Sequence, residues 1–524
     1  MNRRNQWQAL SALAVLTATT VTGCGSEGVG WAFSDPIVIG MSDNVLATDP
    51  ASGYDPGSWL LFNNVFQSLL SFPEGGTQPQ PEIAKKCEFM DKHAKVFRCT
   101  LKDGIKFSNG DPLTAEDVKF SFDRTLRVDD PAGPAIMFPM LSKVEVPNPT
   151  TVVFRLKDSD ATFPSKIASG AGSIVNHRAY DPEELRADHQ AIGSGPYKLE
   201  SFSKDKAVFS VNKNYRGTAH VGNSGVVLKF FHGNQNALKR SLTRGDVDMA
   251  YRGLSARDIN NIERQGSADL DVVEGDSAEV QHLVFNMSDP VIGRLGVRRA
   301  IAYLLDREAL IDQVYKRTAD PLYSIVPAGI PGHNTAFFDV YGSRPSKEKA
   351  AAALQSAGIQ GKVQLTLWST PSRYGPSTDQ ELKAIAAQLN ASGLFEADMQ
   401  SVPLSQYEKD IANGKYGVYV KGWVPDYPDA DNFTAPFFGK GNVLENNYAN
   451  RKITDVLIPR TATISDRNAA DEDFEELQDI VAEELPVLPI WQGKQYAVIN
   501  RAVNGYEYCL DASTVFRFWK LNKL

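Results

Sequence analysis

The sequence predicts an α/β fold with mixed sheets, because strand and helix patterns alternate along most of its 524 residues. Runs rich in β-branched and aromatic residues, such as Val226–Phe231 and Tyr416–Trp423, indicate strands, and segments with apolar residues at helical spacing separate them. The length exceeds that of a single simple core, so we expect more than one domain. With 42% hydrophobic and 23% charged residues, the composition excludes a mostly disordered chain and a polytopic membrane protein.

Each predicted element has a local signal in its periodicity or in its turn and cap residues. A helix is predicted from Thr114 because threonine caps a first turn that contains Glu116 and Asp117. Asn109-Gly110 predicts a hairpin turn, and we interpret the Gly-rich loop Ile192–Tyr197 as hinge-like. In chain order, the other main predicted elements are strand Pro36–Gly40, helix Trp59–Leu70, hairpin Cys87–Cys99, strand Thr151–Leu156, strand Val226–Phe231, helix Asn236–Leu242, strand His282–Phe285, helix Val297–Lys316, helix Ser346–Gln355, strand Val363–Trp368, helix Asp379–Leu389, strand Tyr416–Trp423, helix Glu472–Glu483, segment Pro486–Trp491 and strand Tyr496–Ile499.

The formal net charge is −8, which argues against nucleic acid as a partner. Binding to nucleic acid relies on a basic surface that displaces condensed counterions. Aromatic residues make up 10% of the chain, which is enough to line a large binding cleft.

The N-terminus has the features of an export signal. Basic residues precede an apolar run, Ala9–Val21, that is too short to span a membrane and fits the central region of a secretory signal. The run ends in Val21-Thr22-Gly23-Cys24, which resembles the lipobox of bacterial lipoproteins. We therefore predict a signal peptide over 1–23, lipidation of Cys24 and a lipidated tether over 24–35. The alternative is a soluble secreted protein in which Cys24 stands at this position by chance.

Two further cysteines lie in a predicted hairpin. Cys87 and Cys99 flank a polar turn, Met90–Lys95, and antiparallel neighbours bring two sulfur atoms within bonding distance. An exported protein meets oxidising conditions, so we predict a Cys87–Cys99 disulfide, with two reduced, packed thiols as the alternative. Cys509 has no partner and is interpreted as a buried apolar thiol.

Motifs of catalysis are absent from the sequence. It contains no HExxH, no GxSxG and no phosphate-binding GxxxxGK[ST], and its seven histidines have no metal-ligand spacing. Asp426, Asp429 and Asp431 do not satisfy the pattern of a calcium loop. We therefore predict that the protein is not an enzyme and holds no metal or cofactor.

The segment Lys421–Asp429 is the most informative stretch, because it follows a β-rich run and combines an indole, a phenol and carboxylates. Gly422 permits a ligand to approach the backbone closely, Trp423 offers an aromatic surface for packing, and Asp426 offers a negative charge to a cation. Such residues at a strand end are typical of ligand sites in α/β proteins. The alternative is a core tryptophan at a strand end, followed by a solvated acidic turn.

From about residue 36 onward, the chain resembles the family 5 extracellular solute-binding proteins of ABC importers, the dipeptide- and oligopeptide-binding group. The resemblance rests on many short motifs that occur in family order: Pro81–Ala84, Phe97–Leu101, Gly104–Phe107, Gly110–Val118, Gly193–Tyr197, Gly245–Asp248, Phe285-Asn286, Val297–Ile301, Asp306-Arg307, Gly422-Trp423 and Asp426-Tyr427.

The resemblance implies a type II periplasmic-binding-protein-like fold with two lobes, joined by two hinge strands. Lobe I would comprise 30–55, 190–283 and 495–524, with an extra subdomain over 56–189, and lobe II would comprise 284–494. By similarity to peptide-binding relatives, Asp426 pairs with the α-ammonium group of a peptide, and the backbone of Gly422–Val424 pairs with the extended peptide. The predicted ligand contacts are Tyr54, Gly422, Trp423, Val424, Asp426 and Tyr427.

The predicted function is that of a monomeric, lipid-anchored receptor in the cell envelope, which captures short peptides outside the membrane and delivers them to the transmembrane subunits of an ABC permease. Contact with the membrane is expected through the lipid anchor alone. The same fold also binds other solutes in this family, so an oligosaccharide, a nickel chelate or an opine-like amine is an alternative ligand. A sensor that feeds a signalling partner and a secreted hydrolase are the remaining alternatives.

Overall fold

The computed structural model describes residues 35–266, 269–371, 373, 377–513 and 515–523. The predicted signal peptide, Cys24 and the predicted tether up to residue 34 lie outside the described residues. Strands and helices alternate along the described chain, which confirms the predicted α/β class with mixed sheets.

Strands and α-helices form the framework of the described residues. The strands are β1 Ile37–Met41, β2 Leu70–Ser71, β3 Gln80–Pro81, β4 Ala84–Phe89, β5 Val96–Leu101, β6 Leu141–Asn148, β7 Thr151–Leu156, β8 Tyr197–Ser203, β9 Lys206–Val211, β10 Gly225–Phe230, β11 Met249–Tyr251, β12 Leu270–Phe285, β13 Ala319–Pro321, β14 Val363–Ser369, β15 Phe395–Ser401, β16 Val418–Trp423, β17 Val487–Asn500, β18 Val503–Asn504 and β19 Asn522–Lys523. The helices are α1 Pro56–Val65, α2 Ala115–Val128, α3 Phe163–Ala168, α4 Gln235–Thr243, α5 Ala256–Gln265, α6 Leu295–Leu304, α7 Arg307–Leu310, α8 Ala336–Tyr341, α9 Lys347–Ser356, α10 Ser377–Ala391, α11 Leu404–Ala412, α12 Asp431–Phe438, α13 Ile458–Thr461 and α14 Asp471–Glu484.

Two long strands, β12 and β17, pair with each other in the middle of an 11-stranded sheet. On one side of this pair the order is β15-β14-β16, and on the other side it is β11-β1-β10-β9-β8. The pairs β14–β15, β14–β16, β1–β10 and β1–β11 are parallel. Because β12 and β17 run from one half of the sheet into the other, they connect the two halves as hinge strands. The predicted lobe boundaries at 283/284 and 494/495 fall within these strands and stay predictions.

Buried apolar side chains form separate clusters that follow this division. The largest cluster contains residues between 278 and 491 and packs the β12-β16-β14-β15 half against its helices. A second cluster packs β1 and β8–β10 against α1 and the C-terminal segment that contains Phe516 and Phe518. A third cluster packs the four-stranded sheet β4-β5-β7-β6 against α2 and α3. Among the buried members of the third cluster in the described chain, Tyr427 is the one that lies beyond residue 174.

Two predicted helices differ from the structure by more than two residues at one end or at both. Helix α1 begins at Pro56, because the Asp55 side chain accepts a hydrogen bond from the Ser58 amide at 2.9 Å and caps the helix three residues before the predicted start. The predicted helix Val297–Lys316 is interrupted after Leu304. There the Asp306 side chain accepts a hydrogen bond from the Ala309 amide at 2.9 Å and begins a new helix, α7.

The hinge strands are longer than the patterns predicted. Only His282–Phe285 of β12 was expected, and β17 was expected as two separate segments. The unpredicted segment Gln492–Gln495 of β17 is polar and only half-buried, so it lacks the apolar alternation that indicates a strand. The backbone pairing between β12 and β17 decides their structure instead.

The interpretation of Ile192–Tyr197 as hinge-like stays a prediction, and the structure shows how this loop packs. The Gly195 amide donates a hydrogen bond to the Val65 carbonyl at 2.8 Å, so the loop packs on the end of α1. A Cβ atom at Gly193 would lie 2.1 Å from the same carbonyl oxygen, which explains why glycine occupies this close approach.

The predicted disulfide is present between Cys87 and Cys99, which are directly paired residues of β4 and β5 with Cα atoms 4.1 Å apart. Reduction is expected to lower the melting temperature, because the bond closes a loop between residues 12 positions apart. The chain-entropy estimate for such a loop is about 3 kcal/mol. Scanning fluorimetry with and without reductant measures this effect, and a Cys87→Ser, Cys99→Ser double variant should show no dependence on reductant. Intact-mass analysis that finds both thiols alkylated without reduction would contradict the prediction.

Candidate ligand site in the cleft between the sheet halves

The end of strand β16 has an open edge. The ladder between β16 and β14 stops at Tyr419, whereas the ladder between β16 and β12 continues to Trp423. Among the described residues, no strand lies beside Lys421–Trp423 on the β14 side. Gly422 carries no side chain, so another extended backbone can approach this edge closely.

Asp426 lies three residues beyond β16 and has a half-buried carboxylate. Its Oδ1 accepts a hydrogen bond from the Tyr54 phenol at 2.7 Å, and its Oδ2 accepts one from the Asn432 side-chain amide at 3.3 Å. Burial raises the pKa of Asp426, and the two hydrogen bonds oppose this increase. Within the described chain, no lysine or arginine forms an ion pair with this carboxylate. The site therefore offers a partly desolvated anion to a cationic ligand group.

Asn432 holds both Trp423 and Asp426 in place, and sequence reasoning missed it. Its Oδ1 accepts hydrogen bonds from the Trp423 indole at 3.0 Å and from the Asp426 backbone amide at 2.9 Å. Asn432 is buried in the first turn of α12, and Phe437 of the same helix meets the Trp423 ring edge-on at 5.2 Å. An asparagine at a helix start is usually a cap, so its position in the sequence carries no signal of this role.

The two tyrosines predicted as ligand contacts lie in different environments. Tyr54 stands at the Asp426 carboxylate, and its ring contacts Trp59 edge-on at 5.7 Å. Burial raises the pKa of the Tyr54 phenol, and the Asp426 charge adds to this effect. Tyr427 is 5% exposed, and its hydroxyl group lies 3.3 Å from Asp431 and 3.5 Å from Thr162. Tyr427 thus joins α12 to the third hydrophobic cluster, and its contact with a ligand stays a prediction.

A cavity of about 200 Å³ lies beyond Val424 and extends between the two halves of the sheet. On the far side, Asp43 follows β1 and Arg252 follows β11, and these side chains form an ion pair at 3.0 Å. Because β1 and β11 are parallel, both residues lie at the edge where α/β proteins bind ligands. A second cavity of about 630 Å³ shares Lys494 and Tyr496 with the first and extends the cleft.

Arg373 is a second residue that sequence reasoning missed. It lies in the loop between β14 and α10, and its charge acts on two groups near the site. Burial raises the pKa of Tyr54 while Arg373 opposes that increase, and burial lowers the pKa of Lys421 while Arg373 adds to that decrease. Arg373 is exposed and is therefore available to a negatively charged group of a ligand. The sequence does not distinguish an arginine near a ligand site from a solvated arginine in a loop.

Comparisons with known proteins agree with this architecture. The family model of bacterial extracellular solute-binding proteins, family 5 (middle region), matches residues 78–445. The probable D,D-dipeptide-binding periplasmic protein DdpA of Escherichia coli K12 is 25% identical over 503 residues, covering 93% of this chain and 94% of the relative. The dipeptide-binding protein of Pseudomonas aeruginosa PAO1 is 26% identical over 496 residues, covering 88% of this chain and 90% of the relative.

Solved structures show the same fold. HbpA2 from Haemophilus parasuis has a TM-score of 0.82 at 20% identity and covers 94% of this chain and 100% of its own. The periplasmic binding protein DppA from Helicobacter pylori, in complex with the peptide STSA, has a TM-score of 0.75 at 21% identity and covers 94% of this chain and 98% of its own.

Two sheet halves joined by two hinge strands, with a cleft between them, define a binding protein of the periplasmic-binding-protein class. The chain belongs to the family 5 bacterial extracellular solute-binding proteins. The relatives named above are binding proteins, which supports the prediction that this chain is not an enzyme. In the part of the chain that the structure describes, no helix combines the length and apolarity needed to span a membrane.

Proposed function

We propose that this protein is the substrate-binding component of an ABC importer for short peptides with a free amino terminus. The observation that carries the proposal is the half-buried Asp426 carboxylate, which forms no ion pair in the described chain and lies beyond the open edge of β16. A peptide α-ammonium group supplies the missing cation and donates hydrogen bonds to the carboxylate. The peptide backbone pairs with Gly422–Val424 as an added strand, which gives affinity independent of peptide sequence.

Arg373 extends the proposal to the other end of the ligand. A short peptide carries a carboxylate as well as an ammonium group, and an arginine fork binds a carboxylate through two hydrogen bonds. Arg373 and Asp426 both act electrostatically on Tyr54, so two opposite charges are near this phenol. This pair of charges favours a zwitterionic ligand over a neutral one.

The names of several relatives support a peptide ligand. They include dipeptide-binding and di/tripeptide-binding proteins, and one solved neighbour is a dipeptide-binding protein from Pseudoalteromonas sp. SM9913 in complex with Met-Leu. Other neighbours are described in complex with agropinic acid or with Ni(L-His), which keeps non-peptide solutes as the alternative.

Native mass spectrometry of the purified protein tests the proposal directly. The expected spectrum contains adducts whose masses correspond to short peptides, and calorimetry with dipeptides and tripeptides then gives their affinities without turnover. A spectrum with non-peptide adducts, or titrations in which no peptide binds, would overturn the peptide assignment.

We expect Cys24→Ser to release the protein from membranes while it remains folded, because the lipobox-like segment predicts acylation of Cys24. Fractionation after a high-salt wash, with thermal melting as the control for folding, measures this result. Persistence of the variant in the membrane fraction would show that the anchor lies elsewhere.

A further inference from the structure

Strand β12 contains a bulge that faces the cleft. Asp276 pairs with Lys494 and Val280 pairs with Gln492, so Ser277–Glu279 stand opposite Gly493 alone. The Ser277 hydroxyl accepts a hydrogen bond from the Glu279 amide at 3.1 Å, and the Ser277 carbonyl accepts one from the Gln492 side chain at 2.7 Å. Bulges of this kind change the direction in which a side chain points. Here the bulge directs Glu279 into the cavity of about 200 Å³.

Glu279 lies next to the residues proposed to bind the ligand backbone. Val280 pairs with Trp423 in the antiparallel ladder, so the preceding residue of β12, Glu279, is adjacent to Val424. Glu279, Val424 and Arg252 all line the same cavity. Val424 ends the segment Gly422–Val424 and also lines this cavity, so the cavity adjoins the backbone that is proposed to pair with the peptide.

The two basic residues that line the cavity, Arg252 and Lys494, form their ion pairs with carboxylates other than Glu279. Arg252 forms an ion pair with Asp43 at 3.0 Å. Lys494 forms ion pairs with Glu274 at 2.8 Å and with Asp320 at 3.3 Å. In the part of the chain that the structure describes, the Glu279 carboxylate has neither a hydrogen bond nor an ion pair. Burial in the cleft raises the pKa of Glu279, and the Arg252 charge opposes this increase.

We propose that this cavity is a side-chain subsite for a lysine or arginine residue of the peptide, and that Glu279 determines the preference. The inference rests on the proposed peptide-binding function. A cationic side chain supplies the ion pair that Glu279 lacks, whereas an acidic side chain meets repulsion. A neutral side chain of equal length leaves the carboxylate desolvated without a partner.

The test compares charge at constant length. Calorimetry is performed with Ala-Ala and Ala-Ala-Ala. It is repeated with each peptide in which one alanine is replaced by lysine or by norleucine, the uncharged analogue of lysine. At one position of the peptide, wild-type protein is expected to bind the lysine version about tenfold more tightly than the norleucine version. Glu279→Gln should reduce this ratio to about twofold or less. Glu396→Gln is the matched control, because Glu396 is an exposed residue on edge strand β15 and should keep the wild-type ratio.

The outcomes separate this inference from the function on which it depends. Equal affinity of wild-type protein for the lysine and norleucine versions at every position would overturn the subsite, as would a lysine preference that persists in Glu279→Gln. Because the first comparison uses wild-type protein, it holds even if the variant does not fold. Failure of every peptide to bind would instead reject the peptide-binding function itself.

Discussion

Replacing Asp426 by asparagine is expected to weaken the binding of a peptide with a free amino group by about 30-fold or more. Removal of one partner from a desolvated, hydrogen-bonded charge pair costs about 2–5 kcal/mol, because the other charge stays buried without compensation. The Asp426 carboxylate meets this condition, since its hydrogen-bond partners in the described chain are the neutral groups of Tyr54 and Asn432. Isothermal titration calorimetry at one pH measures the loss.

Acetylation of the peptide amino group provides the matched experiment on the ligand. It should weaken binding to wild-type protein to a similar extent and binding to Asp426→Asn much less, because both changes remove the same ion pair. Trp423→Ala should weaken the binding of both peptides equally, since packing against the indole ring is independent of ligand charge. If acetylated and free peptides bind wild-type protein equally well, Asp426 is not an amine ligand. A neutral solute such as an oligosaccharide then becomes the better candidate.

The raised pKa of Asp426 predicts the direction of the pH dependence. Only the ionised carboxylate pairs with an ammonium group, so affinity should be highest above this pKa and should fall as the pH decreases through it. Because burial places the pKa above that of an ordinary aspartate, the loss should begin at a higher pH than a solvated carboxylate would give. Asp426→Asn should show a flatter profile over the same range.

The largest expected loss of stability follows from Arg124→Met, at about 3–5 kcal/mol. Arg124 of α2 is 1% exposed, and its guanidinium group donates two hydrogen bonds to Asp49 at 2.8 and 2.7 Å. Asp49 belongs to the loop that leads from β1 to Tyr54, and its side chain is 3% exposed. Without arginine, the buried Asp49 carboxylate loses its ion pair and, in the described chain, keeps only the hydrogen bonds from the Ala51 and Arg186 backbone amides. Scanning calorimetry should therefore show a lower melting temperature.

Two controls distinguish this effect from a general weakening of α2. Arg127→Met, on the same helix, should change stability by less than about 0.5 kcal/mol, because Arg127 is exposed and donates a hydrogen bond only to the Pro182 carbonyl among the described residues. The Arg124→Met, Asp49→Asn double variant should recover part of the loss, because it removes the buried charge. A melting temperature of Arg124→Met equal to that of wild type would contradict the prediction.

Local patterns predicted those elements whose signal lies within a few neighbouring residues. The hairpin that brings Cys87 and Cys99 together and the helix capped by Thr114 both formed as expected. The prediction of one continuous helix through Asp306 was wrong for a local reason. The Asp306 side chain caps a new helix, although the apolar face continues on both sides of it. The polar parts of β12 and β17 were not predicted as strands for a long-range reason, because the strand that each pairs with lies more than 200 positions away in the chain.

The sequence by itself determined the α/β class, the family and the identity of Asp426 and Trp423 as candidates, because these follow from short motifs in a recognisable order. Only the tertiary structure decided which residues surround them. Tyr54 reaches Asp426 across 372 positions of sequence, and Asn432 reaches it from a helix start that looks like an ordinary cap. Glu279 faces the cleft because a bulge against β17 directs it there. Such contacts depend on chain segments that meet only after folding, so they cannot be predicted from a local pattern of apolar and polar residues.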